Sequence, residues 1–219
     1  MSPDHDRPLR AATRMPPLWR VQFLLFLLPL GSLTAIIAGQ SLGGRVGQVF
    51  AATHPERIQA LGLVGGPHPS NFFPTKAATI KVLNAAQRML ESQTEFPSRD
   101  AALAYFRSLR PRDQDAWLHH RVEHNTAPAG NGVAVKYDNV RVAVGLAHMA
   151  DDLRKYAAKA ICPVAIVRGT KSSELTIEEA KEISHCWKNG FVVEIEGDYA
   201  LQMENPAGLA QALTDLSRR

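Results

Sequence analysis

One pentapeptide, set between two apolar segments, constrains this chain more than any other feature. Residues 39–43 read Gly-Gln-Ser-Leu-Gly, a G-x-S-x-G pattern that we call the serine turn. The run before it, residues 33–38, is short and apolar, as is typical of a strand buried on both faces of a parallel sheet. Residues 43–54 carry apolar side chains at helical spacing, and Pro55 follows the expected helix end. The sequence therefore predicts that Ser41 lies in a tight turn between a strand and a helix.

The rest of the chain predicts an α/β architecture with a mostly parallel sheet. Further short apolar runs predict strands at 60–64, 163–167 and 191–195. Thr176-Ile-Glu-Glu179 is a capping box that begins a helix ended by residues 188–190, and Asn205-Pro206 begins the last helix. Between the predicted strands at 60–64 and 163–167, only helices are expected and no strands. The helical patterns lie at 75–92, 98–109, 112–122 and 139–158. Strands and helices thus alternate on both sides of a helical insertion.

Composition narrows the classes of function. The 219 residues suit one domain with a small insertion, and a net charge of +4 without a block of basic residues argues against nucleic-acid binding. The two cysteines, Cys162 and Cys186, have no metal-ligand spacing, and a reducing compartment is expected. We therefore expect a cytoplasmic protein without a cofactor.

The uncharged segment 21–38 allows a second interpretation. Its eighteen residues make a marginal membrane span, and the arginines before it resemble a signal peptide or anchor. Membrane contact, anchoring or export through this segment is therefore the alternative. The interpretation that we favour is a short buried helix at about 21–29 followed by a turn and a strand, because Pro29 and Gly31 interrupt the run.

The serine turn has a chemical rationale. The strand-to-helix bend strains the serine, and a Cβ on either glycine would clash with the neighbouring strand or helix. The bend exposes the Ser41 hydroxyl at the carboxyl edge of the sheet. The N–H of Leu42 lies at the helix N-terminus, where it can stabilise an oxyanion. The competing interpretation is a tight turn without chemistry.

Three stretches of the chain together resemble the α/β-hydrolase superfamily, in its esterase, lactonase and C–C hydrolase branch. They are AGQSLGGRVGQVFAATHPERIQALGLVGG, ICPVAIVRGTKSSELT and VVEIEGDYALQMENPAGLAQAL. The resemblance covers about residues 33–219. It implies a hydrolase-like core at 33–69 and 159–219 and a helical lid insertion at 70–158. Residues 1–32 are an atypical N-terminal segment.

Two departures from the family pattern affect the expected activity. The family places its catalytic histidine in a stretch like G-x-G-H-x-x-x-x-E-x-P, and the corresponding position here is Ala200. The position of the acid corresponds to Ser173, with Glu174 adjacent as a possible substitute. The strands that the family places before the serine strand, and the loop that supplies the second oxyanion donor, are also missing. A partial fold with only the later strands is therefore expected.

Other histidines are weaker candidates for the base. His68 follows the strand after the serine turn and is expected to lie near the pocket, although a histidine in a simple turn is the plainer interpretation. His120 and His124 are four residues apart, but no third ligand of suitable geometry accompanies them, and no metal is expected.

The sequence thus predicts a hydrolase of ester or related acyl bonds, with Ser41 as the nucleophile and Leu42 as the oxyanion donor. Gln40 and His68 would line a pocket for a small apolar ester-like substrate. Without a histidine at position 200 the activity is expected to be weak or absent, and a non-catalytic relative that binds a ligand or subunit is the alternative. The serine strand would form a sheet edge open to homodimer formation.

Overall fold

A four-stranded parallel sheet forms the centre of the first of two units. The structure, a computed structural model, describes residues 34–67, 72, 75–111 and 114–219. Its contacts divide the chain into one unit made of Met1–Phe73 with Asp152–Arg219 and a second made of Pro74–Asp151. The predicted boundaries of core and lid stay predictions.

The described helices and strands follow one another as a strand–helix–strand, a mixed block and a second α/β half. In chain order they are β1 (Ala35–Gln40), α1 (Leu42–Thr53), β2 (Ile58–Val64), α2 (Lys76–Leu90), β3 (Glu95–Phe96), α3 (Arg99–Leu109), α4 (Asp115–Asn125), β4 (Thr126–Ala129), β5 (Gly132–Val135), α5 (Asn139–Ala147), α6 (Arg154–Ala157), β6 (Val164–Gly169), α7 (Ile177–Ser184), β7 (Gly190–Ile195), α8 (Leu201–Glu204) and α9 (Pro206–Leu216). Short 3₁₀ turns lie at Pro55–Arg57 and His148–Ala150.

The sheet of the first unit has the order β1-β2-β6-β7, and all of its strand pairs are parallel. Since Ile37 pairs with Leu61 and Ala38 with Gly62, these pairs lie on opposite faces. The helix α1 packs on the first face, where a Cβ on Gly47 would lie 2.8 Å from Leu61. The helix α9 covers the second face near Gly62. The predicted α/β class with a parallel sheet is confirmed.

One apolar core lies on each face of this sheet. The larger includes Phe50, Leu61, Ile166, Ile183 and Trp187, all at most 3% exposed. The smaller contains buried residues of β2, β6, β7, α8 and α9, namely Ala60, Val64, Ala165, Val167, Ile195, Leu201 and Leu216. Both faces of β6 are therefore buried, which explains its continuous apolar sequence.

The prediction that the serine strand is buried on both faces is wrong. Ile37 is 6% exposed, but Ile36 is 37% exposed and Ala38 is also exposed. Both exposed residues lie on the same face of the sheet as α9, and that helix packs over β2. β1 is the terminal strand of the sheet among the described residues. The strand also lies two residues later than predicted, so that it runs directly into Ser41.

The second unit contains strands that the sequence did not predict. β3, β5 and β4 form a small antiparallel sheet, with β4 and β5 joined by Gly130 and Asn131. Gly130 has a φ of 52°, the sign that a tight hairpin requires at its first turn residue. The helices α3 and α4 pack beside this sheet around Phe96, Phe106 and Leu118.

Two predicted helices end earlier than expected. The pattern at 139–158 is divided, because Asp151 is extended and the side chain of Asp152 accepts a hydrogen bond (2.9 Å) from the N–H of Arg154, which starts α6. α7 ends at Ser184 rather than at 188–190, and Gly190 instead begins β7. A Cβ at Gly190 would overlap the carbonyl oxygen of Ser184, so this close approach requires glycine.

Two predicted helix starts are confirmed by their caps. The Thr176 hydroxyl accepts from the Glu179 N–H (3.1 Å) while the Glu179 carboxylate accepts from the Thr176 N–H (2.8 Å). Asn205 caps α9 by accepting from the Gly208 N–H at 2.9 Å.

In the described part of the chain, every helix is too short or too polar to traverse a bilayer. Most of segment 21–38, residues 21–33, lies outside the described residues, and its last four residues belong to β1.

Candidate functional site

Ser41 has an unusual backbone conformation. Its φ of 52° and ψ of −119° make it the one non-glycine residue with a positive φ in the described part of the chain. Such conformations cost about 1–3 kcal/mol and persist where the surrounding structure enforces them. Gly39 allows the bend, because a Cβ there would overlap the Gly43 carbonyl group and lie 2.6 Å from the Gly44 nitrogen.

The second glycine of the pattern, Gly43, does not make the close contact that the sequence predicts. A Cβ on Gly43 would meet nothing within 4 Å, so the expected clash at this position is wrong. The close contact instead falls on Gly44, where a Cβ would lie 3.0 Å from the Gly39 carbonyl oxygen and 3.6 Å from Leu63. The glycines that the turn requires are therefore Gly39 and, less strictly, Gly44.

The turn presents two groups to solvent at the N-terminus of α1. Ser41 and Leu42 are exposed, with Leu42 55% exposed, and the Ser41 side chain makes no capping bond to the helix. The Leu42 N–H is the first of the helix and has no acceptor within it. The first turn contains no acidic residue, so the positive end of the helix dipole is not neutralised there. This arrangement suits a developing negative charge beside Ser41.

Gln40 connects the serine turn to the loop of residues 197–204, which we call the Ala200 loop. Its side-chain nitrogen donates to the Tyr199 carbonyl oxygen (2.9 Å), and its side-chain oxygen accepts from the Gln202 amide (2.7 Å). A Cβ on Gly65, just after β2, would lie 3.0 Å from the Tyr199 ring. The ends of β1 and β2 and the Ala200 loop therefore meet at the carboxyl edge of the sheet.

Ala200 has no ionisable side chain to offer Ser41. It precedes α8, with φ −91° and ψ 55°, and is half-buried. The carboxylate of Glu204 holds the loop by accepting from the N–H of Asp198 (2.5 Å) and of Ala200 (3.3 Å). The loop that the resemblance associates with histidine is therefore well ordered by its own hydrogen bonds, and a methyl group occupies the relevant position.

The loop after β6 contains the candidate acid. Glu174 is exposed, and its N–H donates to the Ser172 hydroxyl at 3.3 Å. The loop is held from beneath by the buried Arg168, whose Nε donates to the Leu175 carbonyl (3.1 Å) and whose guanidinium pairs with Glu194. The Lys171 N–H donates to the Gly197 carbonyl oxygen (2.8 Å). This loop thus adjoins the Ala200 loop at the same edge.

The described histidines of the first unit lie away from Ser41. His54 caps the other end of α1, about 18 Å of helix away, and stacks on Phe50 with ring centroids 4.7 Å apart. His185 ends α7 just before β7 begins, at the amino edge of the sheet. His68, the predicted pocket histidine, lies outside the described residues.

Neither cysteine offers an alternative nucleophile at neutral pH. Both thiols are free, and burial raises the pKa of Cys162 and of Cys186 above the ordinary thiol value. A thiol becomes nucleophilic as its thiolate, and a raised pKa lowers the thiolate fraction. Ser41 therefore stays the candidate nucleophile when it is compared with these two thiols.

Other possible sites are limited. Within the described ranges, no three His, Cys, Asp or Glu side chains are grouped so as to hold a metal ion. A cleft of about 460 Å³ lies in the second unit between β3 and the β4–β5 hairpin. Glu95 is the one ionisable side chain in its lining, which contains no histidine. The cleft therefore lacks the groups for acyl hydrolysis.

Sequence reasoning missed Gln202 as part of this site. It lies 162 residues from its partner Gln40, and no local pattern relates them. Glu204 also belongs to this site, because its carboxylate holds the Ala200 loop. Its carboxylate four residues after Ala200 could have indicated this role, because acidic side chains accept readily from N–H groups at a helix start.

Similarity to known proteins appears in structure rather than in sequence. No family model matches the chain, and no curated protein matches its sequence. The chain is similar to E-2-(acetamidomethylene)succinate hydrolase, with a TM-score of 0.75 and 21% identity over 91% of this chain and 72% of that one. It is also similar to a thioesterase domain from the curacin biosynthetic pathway, with a TM-score of 0.67 and 18% identity over 92% and 73% of the two chains. An esterase from Mycobacterium tuberculosis matches with a TM-score of 0.65 and 23% identity over 91% and 65%.

These structural similarities cover nearly the whole chain, but they cover only about two thirds to three quarters of the matched proteins. Together with the parallel sheet and its flanking helices, they show that this chain has the α/β-hydrolase fold.

Proposed function

We propose that this chain is a serine-type acyl hydrolase in architecture whose activity is weak or absent. One observation carries the proposal. Gln40 joins the strained serine turn, where Ser41 has a φ of 52°, to a loop that has an alanine at position 200. The turn supports nucleophilic and oxyanion roles for Ser41 and Leu42. Ala200 removes the base that would activate the hydroxyl.

The magnitude of the defect follows from acid–base chemistry. A serine hydroxyl is a poor nucleophile unless an adjacent base accepts its proton. Loss of one member of a catalytic triad typically lowers kcat by about 10⁴-fold or more, and the remaining rate comes from the oxyanion site and binding. Glu174 can orient a base, but without an imidazole between them it does not activate Ser41.

The proposed ligand is a small apolar ester or related acyl compound. The matched proteins with printed activities include esterases, a thioesterase domain and a hydrolase, which supports the acyl class. The exposed Leu42 side chain offers an apolar contact next to Ser41. The two free cysteines support a reducing, cytoplasmic location as part of the same proposal.

A fluorophosphonate probe tests the role of Ser41 directly, because it phosphonylates activated serines. We expect slow labelling of the folded chain, confined to Ser41 in peptide mass spectrometry and absent in the Ser41→Ala variant. The Ala200→His variant should label faster, because the loop that Gln40 joins to the serine turn would then carry an imidazole able to accept the hydroxyl proton. Ala207→His, a change on the exposed first turn of α9, is the matched control and should not accelerate labelling.

Two results would contradict the proposal. Rapid stoichiometric labelling of the unmodified chain would show that another base serves Ser41. Labelling at other serines, with Ser41 unmodified in folded protein, would remove the serine turn from the chemistry altogether.

Subunit binding is a second candidate function, and the exposed serine strand favours it. β1 is terminal among the described strands, and Ile36 and Ala38 expose apolar surface on one face. Terminal strands present unpaired N–H and C=O groups that pair readily with another chain. We therefore propose that a second copy of this chain pairs along β1.

A further inference from the structure

The side chain of Gln40 is bonded on both sides of position 200. Gln40 is the last residue of β1 and directly precedes Ser41, and its backbone is paired with β2. Its side chain bonds to the Tyr199 carbonyl oxygen (2.9 Å), just before Ala200, and to the Gln202 side chain (2.7 Å), two residues after it. A residue fixed in the sheet beside the candidate nucleophile therefore holds the Ala200 loop at two points.

The types of hydrogen bond leave one orientation for this pair of side-chain amides. The Tyr199 carbonyl oxygen only accepts, so the atom of Gln40 that faces it is Nε2. Oε1 of Gln40 then faces Gln202, which presents its own Nε2 as the donor. Both polar atoms of the half-buried Gln40 amide are therefore matched. Side chains of similar length do not reproduce this, because glutamate has no donor and methionine has neither a strong donor nor a strong acceptor.

The other contacts of the Ala200 loop hold it to different parts of the first unit. Leu201 is fully buried in the smaller core, and the Glu204 carboxylate accepts from N–H groups within the loop. The Lys171 N–H, in the loop after β6, donates to the Gly197 carbonyl oxygen at 2.8 Å. These contacts order the loop, whereas the bonds of Gln40 relate it to the serine turn.

We propose that Gln40 is a positioning residue that sets where position 200 lies relative to the Ser41 hydroxyl. Gln202 completes the pair of bonds through which it acts. The inference rests on the proposed function, because the place of residue 200 matters to the chemistry only where a base at that position would serve Ser41. A misplacement of about 1 Å can lower a rate by about 10²-fold, so two directional hydrogen bonds at this point decide how effective such a base is.

Hydrogen–deuterium exchange followed by mass spectrometry tests the positioning without any chemistry at Ser41. In peptides covering residues 197–204, Gln40→Met should speed exchange by about threefold or more, because local protection falls when hydrogen bonds are lost. Gln202→Met removes one of the two bonds and should have a smaller effect. Gln202→Lys keeps an N–H donor for Gln40 and should retain protection. The matched control is Gln211→Met, which changes an exposed glutamine of α9 and should exchange like the unmodified chain.

The consequence for the chemistry is measured with the fluorophosphonate probe in the Ala200→His background. There the labelling rate at Ser41 should rise with pH near 6.5, the ordinary titration range of histidine, as the imidazole loses its proton. Adding Gln40→Met should lower this pH-dependent rate by about tenfold or more. Adding Gln211→Met should leave it unchanged. Urea unfolding of each variant separates loss of positioning from loss of the fold.

Two results would overturn the inference. One is equal exchange of residues 197–204 in Gln40→Met and in the unmodified chain. The other is an unchanged pH-dependent labelling rate when Gln40→Met is added to Ala200→His. Faster exchange in Gln40→Met, together with no gain of labelling in Ala200→His, would support the positioning of the loop and contradict the serine chemistry instead. The failure of this inference and the failure of the proposed function are therefore distinguishable.

Discussion

Ser41 and Gly39 show how single positions create the serine turn. The positive φ of Ser41 is tolerated because β1 and α1 meet within one residue, and they meet so closely that position 39 has no room for a side chain. Gly43 belongs to the same sequence pattern but faces open space. The two glycines of the G-x-S-x-G pattern therefore have different physical roles, and substitution separates them.

Gly39→Ala should destabilise the fold by about 3 kcal/mol or more, because its Cβ overlaps backbone atoms that cannot move independently of α1. Gly43→Ala, the matched control, lies inside α1 and should be neutral or stabilising by up to about 1 kcal/mol. Urea unfolding followed by circular dichroism measures both free energies. Equal losses in the two variants would mean that the turn does not have the described geometry.

At the scale of elements, capping decides where the helices of the second α/β half begin. The reciprocal bonds of Thr176 and Glu179 satisfy two N–H groups that α7 would otherwise leave without acceptors. The box also fixes the end of the loop that contains Glu174. A change at Thr176 therefore affects stability through one identified hydrogen bond.

Thr176→Ala should cost about 1 kcal/mol of unfolding free energy. Thr214→Ala removes an exposed threonine hydroxyl inside α9 that bonds back to Ala210 at 2.8 Å, and it should be neutral or slightly stabilising because alanine has the higher helix propensity. Thermal and urea unfolding of the two variants gives the comparison. A loss in Thr214→Ala as large as in Thr176→Ala would contradict a specific role of the cap.

Elements with local signals were predicted well from the sequence. The capping box at Thr176 and the Asn205-Pro206 pair gave helix starts that match the structure to the residue. The β4–β5 hairpin had a signal too, because Gly130-Asn131 is a favoured two-residue turn, but the helical patterns around it outweighed that signal. The break of the predicted helix at Asp151 came from a side-chain bond of Asp152 that competes with the helix.

Features that depend on distant partners could not be predicted in this way. The contact of Gln40 with Tyr199 and Gln202 joins residues that are about 160 positions apart. The exposure of Ile36 depends on which helices cover the end of the sheet rather than on the strand's own apolar sequence. The role of position 200, in contrast, comes from the sequence alone, because the resemblance assigns the histidine to it, and that assignment stays a prediction.

At the scale of the whole molecule, β1 is terminal among the described strands, and it is the edge along which we propose that a second copy pairs. Ile36 is 37% exposed on the terminal described strand, whereas Ile161, also an exposed isoleucine, precedes β6 and lies outside every described strand. A charged side chain in place of Ile36 should interfere with pairing along β1. A charged side chain in place of Ile161 should not.

Sedimentation velocity over a range of concentrations should show a dimer of the unmodified chain that is weakened in Ile36→Lys. Ile161→Lys is the matched control and should associate like the unmodified chain. A monomer at all concentrations, or an equal loss of association in both variants, would contradict pairing through β1.

Our central proposal is that the serine turn exposes Ser41 while Ala200 leaves no base at the position where the resemblance expects the histidine. The most direct measurement is the hydrolysis of p-nitrophenyl acetate and butyrate by the unmodified chain, by Ser41→Ala and by Ala200→His. The account predicts that the unmodified chain and Ser41→Ala turn over at indistinguishable, very low rates. Turnover by the unmodified chain that exceeds that of Ser41→Ala by about 10³-fold or more would contradict it, because an effective base would then have to lie beside Ser41.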